Sequence, residues 1–197
     1  MTLGALLLSA TVLRYLPPPV TPRPPHAYAV VTGAFSHHPA DAEHFRSFIT
    51  SVGGNSFDVS GGGGFSLSPA LAIEGELVFG GTVSTPQFTF FTEQARDLVL
   101  NALVRYRAAA MPRVSLVAGG GYAWTRTSEE PVQDSRPAIW WHGAALTGGI
   151  DVAVVDASHA VLSPSFRVRW IERADALDGW NGLGAFTFQI GATVIVR

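Results

Sequence analysis

The stretch LGAFTFQIGATVIVR, residues Leu183–Arg197, decides the fold of this chain. Every second residue in it is apolar, and these residues are Phe186, Phe188, Ile190, Ala192, Val194 and Val196. Because residues two apart share a face of a β-strand, the stretch predicts a strand with one apolar face and one small, mostly polar face. It is about twice as long as a common soluble strand, and a tilted strand needs roughly 9–11 residues to cross a membrane. We predict that it closes a membrane-spanning β-barrel with its apolar face toward lipid.

The composition supports a membrane barrel and argues against a nucleic-acid-binding protein. The 197 residues suffice for one domain and carry a net charge of −2, with a pI near 6.3. Only 14% are charged and 47% are hydrophobic, but after the N-terminus the sequence lacks an apolar stretch long enough for a transmembrane helix. This combination is typical of membrane β-barrels, and the 21 glycines suit a narrow lumen. Without cysteines, disulfides and thiolate metal sites are excluded.

The N-terminus predicts a leader over residues 1–27, followed by a barrel domain over residues 28–197. The apolar run Leu3–Leu13 has the length of a signal-peptide core, residues 17–25 are proline-rich, and Ala27–Ala29 has the A-x-A form of a cleavage site. No basic residue precedes Leu3, so a short buried helix is the alternative. We expect a signal peptide and an extended proline-rich linker.

Strand-like runs alternate with breaks along the rest of the chain. The phase of the sixth run is ambiguous, whereas the others alternate clearly; the eight runs are Tyr28–His37, Ser56–Leu67, Leu71–Gly81, Ala95–Arg107, Val114–Thr125, Ala138–Val152, Ala160–Ile171 and the closing strand. The breaks between them alternate long and short, and the long ones end at Asn55 or span Thr82–Gln94, Arg126–Pro137 and Glu172–Gly182. This alternation predicts an all-β, eight-stranded antiparallel up-and-down transmembrane barrel, with short turns and both termini at one end.

Aromatic residues recur at the loop-proximal ends of the predicted strands. Six strands carry one there, and these residues are Phe57, Phe79, Trp124, Trp140, Trp170 and Phe186. Outer-membrane barrels carry girdles of aromatic residues at the membrane interfaces. We therefore predict that these six residues form an aromatic girdle.

The glycine-rich runs GGGGF (Gly61–Phe65) and VAGGGYAW (Val117–Trp124), with the eight-strand spacing and the leader, resemble the OmpA-like or OmpX-like family of small bacterial outer-membrane barrels. The resemblance covers residues 28–197. It implies an integral protein of the bacterial outer membrane, in contact with outer-membrane lipid. That family usually ends in an aromatic residue that resembles an assembly signal, and here Val196 takes that place before Arg197. We expect a monomer with no cofactor and no nucleic-acid partner, and the sequence identifies no surface ligand.

Charged residues collect on the polar faces of three strands, which predicts a charge network in the lumen. These residues are Glu74, Glu76, Arg105, Arg107, Arg167 and Arg169. A charge inside a narrow barrel must be paired or hydrated, and Glu74 lies about level with Arg105 on the next strand, so we expect an ion pair. The network could gate a narrow pore. Because side chains just fill an eight-stranded barrel, we favour a structural plug.

Neither metal binding nor catalysis has a clear sequence signal. The first long break contains His37, His38, Asp41, Glu43 and His44, but without a recognised ligand spacing, so we predict a solvated loop and no metal site. A lipid A-modifying enzyme would have to use His142, yet no Ser or Asn lies within two residues of it. The chain also has no G-x-S-x-G motif, and Gly61–Gly64 lacks the ending of a phosphate-binding loop.

The sequence therefore predicts a barrel without catalytic chemistry that has a structural, adhesive or small-pore role. Two alternatives stay open, a lipid A-modifying enzyme and a soluble calycin-like barrel that binds an apolar ligand. A calycin-like barrel has an apolar interior and a polar exterior. The polarity of the two walls therefore separates it from a membrane barrel.

Overall fold

A computed structural model describes residues 26–38, 42–45, 48–51, 54–84, 91–131, 139–172 and 185–197. These residues form β-strands and short turns. The strands are β1 (Ala27–His38), β2 (Ala42–Phe45), β3 (Phe48–Ser51), β4 (Gly54–Ser66), β5 (Leu71–Ser84), β6 (Phe91–Arg107), β7 (Val114–Pro131), β8 (Ile139–Val152), β9 (Val155–Asp156), β10 (Ala160–Ile171) and β11 (Ala185–Val196). The described residues include no helix long and apolar enough to cross a membrane.

Eight of these strands form one closed antiparallel barrel. The order around it is β11, β1, β4, β5, β6, β7, β8 and β10, and β10 pairs with β11 to close the ring. The hairpin β2–β3 is a separate sheet, and the two-residue β9 pairs with the start of β10. The predicted eight-stranded up-and-down barrel is therefore confirmed.

The two walls of the barrel follow the period-two pattern of the sequence. On β11, Thr187, Gln189 and Thr193 are buried inside, while Phe186 and Ile190 face outward. Ile190 is 70% exposed, and large apolar residues are exposed on each of the eight barrel strands. Because the wall that faces the surroundings is apolar and the inner wall is largely polar, the polarity is opposite to that of a calycin-like barrel.

The strands extend further toward the loop end than the sequence pattern indicates. The prediction that Thr82–Gln94 is a loop is wrong at both ends, because Ser84 pairs with Glu93 in the β5–β6 ladder. The β7 strand likewise continues to Pro131 instead of ending at Thr125. Apolar alternation fades there, yet the backbone ladder continues, since its hydrogen bonds do not require apolar side chains. The first polar break also contains a hairpin, β2–β3.

The chain connections fall at two ends of the barrel. The short turns are residues 67–70, 108–113 and 153–159, and they lie at the same end as the start of β1 and the end of β11. The strand ends that flank residues 39–53, 85–90, 132–138 and 172–184 lie at the other end. The first is called the turn end below and the second the loop end. The predicted leader lies outside the described residues apart from His26 and Ala27.

Candidate functional site

A chain of ion pairs with alternating charges crosses the barrel interior. Arg105 donates to Glu74 through Nε (2.5 Å to Oε1) and Nη2 (3.2 Å to Oε2), and its Nη1 donates to Asp151 Oδ2 at 2.5 Å. Arg167 donates to the same carboxylate through Nη1 (2.5 Å) and Nη2 (2.8 Å). All four side chains are at most 7% exposed. Two arginines thus balance two carboxylates across strands β5, β6, β8 and β10.

Glycines create the space that this network occupies. The Arg167 side chain lies over Gly149 of β8, where an added Cβ would be 2.9 Å from Nη1. On β4, the ring of Tyr28 occupies the space where a Cβ of Gly64 would stand. From there the Tyr28 hydroxyl donates to Glu74 Oε1 at 2.7 Å. Gly64 and Gly149 therefore let the large side chains of Tyr28 and Arg167 lie against the inner wall.

A second cluster lies on the strands β4, β10 and β11. The Gln189 amide donates to the Asp58 carboxylate, and Ser56 donates to Oδ1 of the same carboxylate at 3.1 Å. Arg169 lies 3.9 Å from Asp58 and donates to Gln189 Oε1 at 3.4 Å. Its Nε has no hydrogen-bond partner among the described residues. Arg169 is therefore held more loosely than Arg105 or Arg167.

The other two predicted network residues stand apart from these ion pairs. Glu76 accepts hydrogen bonds from Ser60 (2.7 Å) and Asn101 (3.1 Å), both neutral. Within the described part of the chain, the Arg107 side chain makes neither a hydrogen bond nor a salt bridge, although its backbone N–H donates to Ala70 O at 2.8 Å. It lies near the turn end, in an open pocket that also contains Arg197. The structure thus joins Glu74 to Arg105 directly and Arg105 to Arg167 through Asp151, and it leaves Arg107 outside.

Apolar clusters flank the polar network at both ends. Toward the loop end lie Val78, Val99, Ala123, Ala145 and Ile171, and toward the turn end lie Val30, Ala153, Val161 and Ile195, with Tyr28 packed against them. Along β10 the inward residues pass from Val161 through Arg167 and Arg169 to Ile171, so the polar section lies between the two clusters. The interior is therefore filled, with polar side chains between two apolar clusters along β10.

Sequence reasoning did not identify several members of the network. Asp58 and Gln189 lie in the inward phase of their strands, so alternation could have placed them inside. Asp151 lies on the strand whose phase was ambiguous. Its partners Arg105 and Arg167 reach it from β6 and β10, and only β10 is its ladder neighbour. Contacts across the lumen depend on how the barrel curves, which neighbour-by-neighbour counting does not supply.

The outer wall carries the predicted girdle residues. Five of the six, Phe57, Phe79, Trp124, Trp140 and Phe186, are exposed, and Trp170 is partly exposed. Trp170 lies directly opposite Phe186 in the β10–β11 ladder.

His142 lies on the same outer wall. Its Nδ1 hydrogen-bonds the Tyr122 hydroxyl at 2.5 Å, the two rings stack with centroids 5.8 Å apart, and Tyr122 meets Trp124 edge-on at 5.0 Å. The side chain is therefore fixed within an aromatic cluster.

No group of three or more possible metal ligands occurs among the described residues. Asp41 lies outside them, and the structure does not describe the side chains of His38, Glu43 and His44. His37 hydrogen-bonds Asn55 at 3.0 Å. The solvated-loop interpretation of this segment therefore stays a prediction.

No protein-family model matches the sequence, and no curated protein matches it significantly. Solved structures do match the fold. Neisserial surface protein A shares 12% identity at a TM-score of 0.55, over 89% of this chain and 99% of that one. Ail of Yersinia pestis, in complex with the heparin analogue sucrose octasulfate, shares 12% identity at a TM-score of 0.55, over 88% of this chain and 99% of that one. The N-terminal barrel domain of Pseudomonas aeruginosa OprF shares 11% identity at a TM-score of 0.51, over 85% of this chain and 96% of that one. The resemblance to small outer-membrane barrels is thus confirmed for the fold.

Proposed function

We propose that this protein is an integral barrel of the bacterial outer membrane, with a closed lumen and no catalytic chemistry. Its role is structural: it anchors its loops at the cell surface. The fold supports this proposal, because the solved structures that share it include the outer membrane protein OprG of Pseudomonas aeruginosa. So does the outer wall, since an apolar surface of this extent is stable only against lipid or a large partner.

The observation that carries the closed lumen is the filled interior. Glu74, Arg105, Asp151 and Arg167 satisfy one another, and apolar clusters lie on both sides of them. An ion in transit would have to separate buried ion pairs and pass the apolar clusters beside them, which is unfavourable. A plug therefore fits this arrangement better than a gated pore.

The six aromatic residues of the proposed girdle would set the depth of the barrel in the membrane. Trp and Tyr favour the membrane–water interface because one end of the ring system is apolar and the other is polar. The apolar outer wall between this girdle and the turn end would then contact the hydrocarbon. The proposed partner is outer-membrane lipid, and the proposed state is a monomer.

Membrane fractionation tests the localisation. We expect the protein in the outer-membrane fraction after an alkaline wash, with a gel mobility that shifts on boiling, as folded barrels show when they unfold. Release by the alkaline wash, or recovery from the soluble fraction, would contradict the proposal. A periplasmic protein expressed in the same cells controls for trapped contents.

Conductance across planar bilayers separates the plug from the pore. We expect no discrete channel openings from the folded protein, and a porin reconstituted in parallel controls for insertion. Steady openings by the wild-type barrel would overturn the closed lumen without affecting the membrane assignment.

Protease-accessible tags test the orientation. We expect a tag between residues 132 and 138 to be cleaved on intact cells, and a tag at Ser68–Ala70 to be protected until the outer membrane is permeabilised. Cleavage of both tags on intact cells would rule out this orientation.

The proposed leader is tested by sequencing the mature N-terminus. Tyr28 is part of the barrel and Ala29 pairs with both Gly63 and Val196, so a cut after Ala29 would remove paired residues. We therefore propose that any leader is removed before His26. An intact Met1 in the membrane-bound protein would contradict cleavage.

A further inference from the structure

The outer wall near the loop end carries an unusual pair of cations. Arg96 of β6 and Arg126 of β7 are direct cross-strand partners, and both side chains are exposed. They are the only exposed arginines among the described residues, because the others are buried or partly buried. Like charges directly opposite each other on a β-ladder repel. The pair therefore needs either a counter-ion or a reason to be retained.

The described part of the chain offers these arginines no partner. Neither side chain makes a hydrogen bond or a salt bridge there, and their other ladder neighbours on this row are Gly81 of β5 and Trp140 of β8. A glycine on one side and an indole on the other leave the guanidinium groups open to the surroundings. A counter-charge from outside the barrel would offset the repulsion between them.

The aromatic cluster on the rows below the pair indicates how deep in the membrane the two arginines lie. Trp124 and His142 occupy the next outward row toward the turn end, and Tyr122, hydrogen-bonded to His142, lies one row further. Rows two residues apart are separated by about 7 Å along the strand. A boundary between acyl chains and headgroups at Trp124, one row below the arginines, places the arginines at the level of lipid phosphates.

We propose that Arg96 and Arg126 form a binding site for the phosphate of an anionic membrane lipid, with Trp124, Tyr122 and His142 packing against the part of the lipid below the phosphate. Two guanidinium groups on one row offer several N–H donors to one phosphate, and charge-assisted hydrogen bonds of this kind are strong. The proposal rests on the proposed membrane location of the barrel.

Tryptophan quenching by brominated lipids tests this site. The folded protein is placed in phosphatidylcholine vesicles that contain chain-brominated phosphatidic acid, with chain-brominated phosphatidylcholine as the reference. Each arginine near a charged membrane surface contributes on the order of fivefold in affinity, so we expect a preference for phosphatidic acid of about tenfold or more. R96Q/R126Q should reduce this preference to near one.

The matched control is Arg113→Gln, which removes an arginine near the turn end and should leave the preference unchanged. Equal quenching by both lipids in the wild type, or equal loss in R113Q and R96Q/R126Q, would overturn the proposal. Glycerol phosphate in solution distinguishes the source of the phosphate. If it abolishes the preference at millimolar concentration, the site binds a free anion and not a lipid.

A stability measurement excludes a merely structural role for the arginines. In pure phosphatidylcholine, R96Q should keep or raise resistance to urea, because it removes a repulsion. In vesicles with phosphatidic acid the same variant should be less resistant than the wild type. The same sign of change in both lipids would overturn the proposal. Failure of the wild type to insert into either vesicle would instead refute the membrane assignment itself.

Discussion

The inner and outer walls of the barrel use the same eight strands, and alternate residues of each strand belong to one wall or the other. The inner wall is dominated by polar residues with charges that neutralise one another, such as Asp151 between Arg105 and Arg167. The outer wall is mainly apolar, and its apolar side chains, such as Leu100 and Ile190, need no such pairing. In a soluble barrel the polarity of the walls is reversed. The difference shows that the surroundings of the outer wall, and not the strand geometry, set which phase is apolar.

We expect the largest loss of stability from a substitution of Asp151, whose carboxylate forms ion pairs with two arginines. Asp151→Asn keeps the shape but leaves Arg105 and Arg167 without their shared charge, and breaking a buried ion pair costs about 3–5 kcal/mol. Urea unfolding in detergent or lipid measures this loss. Asp97→Asn is the control: Thr125 donates to Asp97 Oδ1 at 2.6 Å, and an amide oxygen can still accept that bond. A small loss at Asp151, equal to that at Asp97, would mean that the network adds little stability.

A charge introduced on the outer wall should destabilise the barrel almost as much. Leu100→Arg places a guanidinium group on the wall that we assign to lipid, where the cost is about 2–4 kcal/mol near the midplane. Met111 is 57% exposed in a short turn, so Met111→Arg tests the same side chain outside the membrane. Its effect should be close to zero. Similar small losses at both positions would show that Leu100 faces water.

Within the inner wall, a double-mutant cycle separates pairing from burial. Glu74→Gln and Arg105→Gln should each destabilise the barrel, and the double variant should recover part of the loss, with a coupling of about 1–3 kcal/mol. Glu76 should not substitute for Glu74, because Ser60 and Asn101 hold its carboxylate. A coupling of zero in urea unfolding would mean that the two side chains are hydrated separately, and a wet lumen would favour the pore.

The bounds of a strand could be predicted from the sequence where they depend on local interactions only. The β10 strand runs over Ala160–Ile171 as its alternation predicts, because each residue's face depends only on its position along the strand. The ends of β5 and β6 near Ser84 and Glu93 could not be found in this way, since the ladder there continues without apolar alternation.

The same distinction between local contacts and contacts across the lumen applies to the candidate site. Neighbour counting placed Glu74 level with Arg105, whereas the register puts Glu74 opposite Leu103, so the ion pair is diagonal. Side chains as long as Glu and Arg can bridge that offset. The role of Asp151 could not be predicted, because Arg105 reaches it across the lumen from a strand that is not its ladder neighbour.

We expect the smallest loss of stability from removing a neutral hydrogen bond on the inner wall. This loss can be compared directly with the loss from breaking an ion pair. Thr32 and Thr193 are cross-strand partners, both buried, with their hydroxyl oxygens 3.0 Å apart. Thr32→Val has nearly the same shape but leaves the Thr193 hydroxyl without its partner, which costs about 1 kcal/mol.

Replacing both threonines with valine removes donor and acceptor together, and such an exchange can be nearly neutral or even stabilising. We therefore expect the double variant to regain most of the stability in urea unfolding. Asp151 with its arginines cannot be exchanged so simply, because Glu74 would keep its charge. A double variant less stable than either single one would show that the lumen near Thr193 contains water that both hydroxyl groups bind. The inner wall would then be held by hydration there, and not by direct contact between side chains.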